Sequence, residues 1–197
     1  MKIIYIGVLR NAQPDPIELC CARELSSYSR FTKGSIQEFT TMFSKLLTGR
    51  TNPGQRQDIN QEDFTFHVYA SSQARGITGV IISDFEYPSM AAHQILSKLL
   101  DEFTTQNPSA TTATGPVSFP ALTDYIKQYQ DPQNVGSILK IQQELDETKV
   151  VLHKTIESVL QRGEKLDDLV QKSEGLSTQS KMFYTSAKKQ NSCCIIM

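Results

Sequence analysis

Between Ile138 and Gln190 the chain carries an apolar repeat that constrains its fold more than any other feature. Steps of alternately three and four residues visit Ile138, Ile141, Leu145, Thr148, Leu152, Thr155, Val159, Arg162, Leu166, Leu169, Ser173, Leu176, Ser180, Phe183, Ala187 and Gln190. Ten of these sixteen positions are apolar and four others are Ser or Thr, whereas the residues between them are mostly Gln, Glu, Asp, Lys or Ser. The stretch has no proline, and its glycines are Gly163 and Gly175. A 3.5-residue repeat held this long predicts a coiled-coil seam over 138–190. One straight helix over that span would be on the order of 80 Å long. Its apolar stripe stays wet unless partner helices cover it, or unless it lies in pieces on the rest of the chain.

One seam position breaks the apolar rule. Arg162 falls in register between Val159 and Leu166, where a guanidinium is costly unless polar groups on facing helices satisfy it. It either snorkels out of a loose seam or forms a single buried polar layer that fixes register. Seven seam positions precede it and eight follow, and this near-central place favours the register device. The small residues Thr148, Thr155, Ser173 and Ser180 favour a bundle in which other helices supply the missing volume.

The first part of the chain reads differently. Lys2–Leu9 is β-branched and aromatic and predicts a buried strand. Glu18–Tyr28 predicts a weaker strand, reached through the turn residues Asn11, Pro14 and Pro16. Ser35–Arg50 places Ile36, Phe39, Phe43, Leu46 and Leu47 on one helical face, with Ser35 and Glu38 spaced as a capping box. Residues 56–59, 64–71 and 76–84 predict three strands in an antiparallel meander. Tyr87–Gln106 predicts a helix with Pro88 in its first turn, 107–120 a loop and 121–129 a short last helix. The expectation is an α+β domain over 1–132, with a five-stranded antiparallel sheet flanked by helices. A linker at 133–137, the α-helical coiled-coil segment at 138–190 and a tail at 191–197 follow.

The tail contains Cys194-Ile195-Ile196-Met197, a C-a-a-X box whose methionine favours farnesyl. Processing would remove Ile195, Ile196 and Met197 and leave a farnesylated, carboxymethylated Cys194. One lipid chain binds membranes only marginally, so Cys193 is the expected palmitoyl site, with Lys188 and Lys189 adding about 1 kcal/mol each near an anionic surface. A farnesyl chain in water must be covered. This predicts a closed form in which the coiled-coil segment folds back, breaking at Gly163 or Gly175, with the lipid in a groove lined by Phe39, Met42 and Phe43.

The sequence "IQQELDETKVVLHKTIESVLQRGEKLDDLVQKSEGLSTQSKMFYTSAKK" (141–189), with "VLQRGEKLDDL" around Arg162, resembles the R-SNARE motif of the synaptobrevin superfamily. The first domain is similar to a longin (profilin-like) domain, of order β-β-α-β-β-β-α-α, in "YIGVLR", "RTNPGQRQ" and "SDFEYP". "CCIIM" resembles the subgroup that carries lipids in place of a transmembrane helix. The resemblance implies a SNARE that zippers with three Q-SNARE helices on the opposing membrane, with Arg162 facing three glutamines. It further implies SNARE-disassembly and tethering machinery and membrane lipid as partners. The implied routes are ER to Golgi, intra-Golgi and endosome or vacuole transport. The implied place is the cytoplasm and the cytoplasmic face of Golgi, ER-derived vesicle, endosomal or vacuolar membranes, and of the plasma membrane.

Other classes find less support. A net charge of −1 gives no electrostatic footprint for nucleic acid. The opening "MKIIYIGVLRN" lacks the length and cleavage site of a signal peptide, and no run of roughly 18 apolar residues would span a membrane. The cysteines form two adjacent pairs, Cys20–Cys21 and Cys193–Cys194. This is neither a disulfide framework nor a zinc spacing, so no disulfide-linked partner is expected and a reducing location is the simplest reading. There is no G-x-x-x-x-G-K-[ST] loop, and His67, His93 and His153 have no cysteine or carboxylate at ligand spacing. No catalytic residue, no metal and no cofactor beyond covalent farnesyl and palmitoyl is expected. Two alternatives stand: a thiol-dependent acyltransferase using Cys193, which lacks a base and an oxyanion hole, and a longin-domain coiled-coil scaffold, whose homodimer would bury two facing arginines.

Overall fold

Strand β1 (Ile3–Arg10) is buried along seven of its eight residues, because it lies inside a sheet both of whose faces are covered. The computed structural model describes residues 2–61, 63–74, 76–140 and 150–192. β1 pairs antiparallel with β2 (Ile17–Arg23) and with β5 (Ile77–Asp84). β5 pairs antiparallel with β4 (Phe64–Ala70), and β4 with β3 (Arg56–Gln61). These are the five antiparallel strands expected from the sequence. A sixth, β6 (Val150–His153), lies parallel to β3 and completes the order β2-β1-β5-β4-β3-β6. The sheet is therefore six-stranded and mixed. The extra strand comes from within the predicted coiled coil: β3 is an edge with open backbone groups, and "VVLH" is β-branched enough to pair with it.

One face of the sheet packs on α2 (Ser89–Gln106), α3 (Ala121–Gln128) and α4 (Pro132–Lys140). Ile95, Leu96, Leu99, Leu100 and Phe103 of α2 are all buried against Ile6, Val8, Ile77 and Ile81. Gly79 permits this close approach, since a Cβ there would meet Leu96 Cδ2 at 2.9 Å. Residues 133–137 are not a linker: they lie in α4, whose Val135 is buried in the same core with Ile138 packed beside it. The 107–120 loop contains a 3₁₀ turn at Pro108–Thr112. Val117 donates its N–H to Leu19 O (2.7 Å), capping the β2 edge.

The other face carries α1 (Arg30–Gly49). The helix starts six residues before the predicted box. Ser29 is its N-cap, accepting from Thr32 N–H at 3.3 Å, while Ser35 is buried inside it. Phe43 and Leu47 meet Tyr5, Leu9, Ile59, Phe66, Val68, Val80 and Ile82. Ile156, Leu166, Val170 and Leu176, all from the heptad region, complete this second core.

The described part of that region is not one helix. After β6 come a 3₁₀ turn (Ile156–Val159), α5 (Leu166–Lys172) and α6 (Thr178–Ser192). The chain turns at Gly163, whose φ of +91° suits glycine, and again over 173–177 around Gly175. Without helices opposite it, the apolar stripe gains more by breaking and packing on the first domain than by standing in water.

Candidate functional site

The groove on the α1 side is built from the outside of the sheet and one helix face. Its aromatic wall is continuous. Phe39 stacks on Phe43 (5.8 Å between centroids), and Phe43 meets Phe66 edge-on at 5.8 Å. Tyr184 from α6 closes on Phe39 at 6.0 Å. A cavity of about 360 Å³ lies between them, lined by Phe39, Phe43, Phe64, Phe66, Phe183 and Tyr184 among others, with Lys188 and Glu157 also on its walls. That volume is in the range of small-molecule sites, about 300–1,000 Å³, and its aromatic lining suits an apolar chain.

Polar contacts fix the path of the docked segment at its turns. Ile156 N–H donates to Gln61 Oε1 (3.2 Å) where the chain leaves β6. Arg50, at the C-cap of α1, donates through Nη2 to both carboxylate oxygens of Glu164 at 2.8 and 2.9 Å. Glu164 also accepts from Gln161 N–H (2.8 Å), closing the turn at Gly163. Glu38 of α1 accepts the Ser177 N–H at 2.7 Å, and that bond holds its carboxyl below the usual range. Asp167 on α5 accepts from Tyr184 Oη (2.9 Å) and Lys188 Nζ (2.5 Å) on α6.

Among the predicted groove residues, Phe39 and Phe43 line the cavity, while Met42 packs half-buried on the same core. The seam residues are divided. Leu166, Leu176 and Ser180 are buried, Val159, Leu169, Ser173 and Ala187 are half-buried, and Leu152, Thr155, Arg162 and Phe183 are exposed. Ile138 lies on α4. Gln190 is in α6. Ile141, Leu145, Thr148, Cys193, Cys194, Ile195, Ile196 and Met197 lie outside the described residues. Among the described residues no helix is long and apolar enough to cross a membrane.

Sequence spacing missed one polar constellation. Asp58, His67 and His93 are buried with their ligand-type atoms within 4.8 Å of one another. The β3–β4 register sets Asp58 directly opposite His67, and the start of α2 brings His93 over both. Asp58 Oδ1 meets His67 Nδ1 at 2.7 Å and His93 Nε2 at 2.8 Å, and Ser89 Oγ donates to Oδ2. Burial opposes the charge on Asp58, but the two imidazole hydrogen bonds outweigh it and hold its pKa well below the carboxylate range. Burial lowers His93, Asp58 offsets part of that, and the positive Arg56 adds to it. Arg56 donates to His93 O at 3.1 Å, so a cation held by the three side chains would sit beside a guanidinium. With both rings aimed at one oxygen, the trio reads as a structural hydrogen-bond network. The β-hairpin register was the available signal for Asp58 and His67; the approach of His93 depends on tertiary packing. Burial pushes the Cys20 thiol up to about 12 and that of Cys21 to about 11, the direction of inert packing thiols.

Comparison with known proteins gives a consistent result along the chain. Residues 25–126 match the longin family, described as a regulated-SNARE-like domain, and residues 137–195 match the synaptobrevin family. The chain is 57% identical over 199 residues to a synaptobrevin homolog ykt6 of Schizosaccharomyces pombe. It is 49% identical over 202 residues to synaptobrevin homolog YKT6 of Saccharomyces cerevisiae, and 48% over 202 to that of Yarrowia lipolytica. Each alignment covers all of both chains.

Proposed function

This chain belongs to the synaptobrevin family as a longin-type R-SNARE, and we propose that it docks and fuses membranes by zippering residues 138–190 with three Q-SNARE helices from the opposing membrane. The observation that carries this reading is Arg162, the one charged residue among the sixteen seam positions, in register near their centre. In the bundle its five donors suit the amide oxygens of three facing glutamines. Burying the apolar layers at about 1.5–3 kcal/mol per large side chain supplies tens of kcal/mol before entropy is subtracted. No catalytic group is needed for that work.

The docked arrangement is the closed, autoinhibited cytosolic state. Leu166, Leu176 and Ser180 are seam residues buried against the first domain, so docking and bundling compete for the same side chains. Membrane attachment comes from farnesyl on Cys194 and reversible palmitoyl on Cys193, and the aromatic-walled cavity holds the farnesyl chain when the protein is off the membrane. The routes served are ER to Golgi, intra-Golgi and endosome or vacuole transport, on the cytoplasmic faces of those membranes.

The test mixes the purified chain with Q-SNARE triplets and scores detergent-resistant four-helix complexes. The wild type is expected to form one, and Arg162→Glu to lose it, since the carboxylate offers no donor to the amide oxygens and its charge is buried without a counter-charge. Failure of the wild type with every triplet overturns the R-SNARE mechanism. Labelling with a farnesyl donor is expected to mark the wild type and not Cys194→Ser.

A further inference from the structure

The docked segment buries only some of the residues its heptads would bury. Ile156 and Val170 are both fully inaccessible in the core under α1, yet neither is a seam residue. Writing the heptad with Arg162 at d puts Thr155 and Leu169 at d as well, so Ile156 and Val170 fall at e, on the flank of the stripe. Conversely, the seam residue Leu152 is 66% exposed. Arg162 is exposed too.

We propose that residues 150–192 carry two separable sets of anchors. Ile156 and Val170 hold the segment on the first domain, whereas Leu152 and Arg162 are kept for partner helices and are already presented to them in the docked state. The proposal rests on the closed-form reading and assigns residues to it. The mechanism follows from geometry. In β6, Leu152 points away from the core while Ile156 at the following turn points into it. In α5 the docked face is Leu166 and Val170 where the seam face is Leu166 and Leu169, so it is turned by about 50° around the helix. Incoming helices can therefore touch Leu152 and Arg162 before the segment leaves the groove. Release then requires Ile156 and Val170 to leave the core, and the shared residues Leu166, Leu176 and Ser180, with the half-buried Val159, to change partners.

The experiment crosses two variants in the full chain, Ile156→Gln/Val170→Gln and Leu152→Gln. Glutamine is a better helix former than isoleucine or valine and about equal to leucine, so the bundle helix is not penalised by propensity. Hydrogen exchange over 150–176 reads docking. Melting of the detergent-resistant complex, with a Q-SNARE triplet that assembles with the wild type, reads the bundle. The first variant is expected to raise exchange on the order of tenfold or more and to leave complex melting unchanged. The second is expected to leave exchange within about twofold and to lower complex melting. Both variants affecting both readouts equally, or the first leaving exchange unchanged, overturns the proposal. A wild-type chain already unprotected over 150–176 instead overturns the closed form, and absence of any complex overturns the R-SNARE mechanism.

Discussion

Leu99 on α2 and Val170 on α5 are equally inaccessible to water, but they sit in segments that relate to their own sequence in opposite ways. In α2, periodicity and burial agree: Ala92, Ile95, Leu96, Leu99, Leu100 and Phe103 recur at helical spacing and all are buried. Between 150 and 192 they agree only in part: in-register Leu166 and Leu176 are buried, but in-register Leu152 faces water while off-register Ile156 and Val170 are enclosed. A stretch whose pattern and burial coincide has one structure to form. A stretch in which they diverge has its pattern written for another set of neighbours.

This contrast is broken most directly by truncating one residue on each side of it. Leu99→Ala is expected to cost about 2–5 kcal/mol and to lower the melting temperature by about 4–20 °C, because the whole sheet depends on that core. Val170→Ala is expected to release 150–176 to exchange while the main calorimetric transition moves by no more than about 2 °C. If Val170→Ala lowered the main transition as much as Leu99→Ala does, the two regions would be one cooperative unit.

Much of the first region was legible because local signals and tertiary demands coincide there. The β-branched run of β1, the α2 stripe and the five antiparallel strands follow from periods of two and 3.6. The misses share a physical cause: a distant neighbour overrides a local cue. Ser35 and Glu38 have capping-box spacing, but Ser29 caps α1, and Glu38 instead accepts from Ser177, 139 residues away. Residues 133–137 read as a linker between two patterns, but Val135 is buried in the α2-side core. Val150–His153 belongs to a heptad pattern, but the open edge of β3 takes it as a strand. In the groove, the placement of Phe39 and Phe43 was readable from α1 alone. The anchoring by Ile156 and Val170 was not, because the heptad points elsewhere.

Acid sharpens the same contrast, since the buried titrating network belongs to the first region. His93 and Asp58 both have pKa values lowered by folding. For each, the unfolded chain binds the proton more readily, so stability is complete above the unfolded pKa and falls as pH drops below it. For His93 the loss begins near its ordinary value of about 6.5, and for Asp58 near about 3.9. The slope from His93 is at most about 1.4 kcal/mol per pH unit. The main melting transition should fall between pH 7 and 5.5, and His93→Gln, which keeps an N–H for Asp58 without titrating, should flatten that fall. Exchange over 150–176 should rise no more than the domain as a whole. An unchanged slope in His93→Gln would place the acid sensitivity elsewhere.

The smallest effect expected is at the Arg50–Glu164 pair, where the two regions meet through charge. Both side chains are about a quarter exposed, so water screens them and the pair contributes about 1 kcal/mol or less. Its geometry is nevertheless favourable: one guanidinium nitrogen reaches both carboxylate oxygens, and Glu164 simultaneously accepts from Gln161 N–H to hold the Gly163 turn. Glu164→Gln keeps an acceptor for that turn while removing the charge, and Arg50→Ala removes the cation. Each is expected to raise exchange over 161–172 by up to roughly fivefold, without moving the main transition. Because both changes remove one interaction, the double variant should open little further than either single one. The wild-type advantage should also shrink in 0.5 M salt, where surface charges are screened over a few ångströms. Full additivity of the two substitutions would mean that Glu164 acts through the turn alone, and that the first domain holds the segment by its apolar contacts without help from charge.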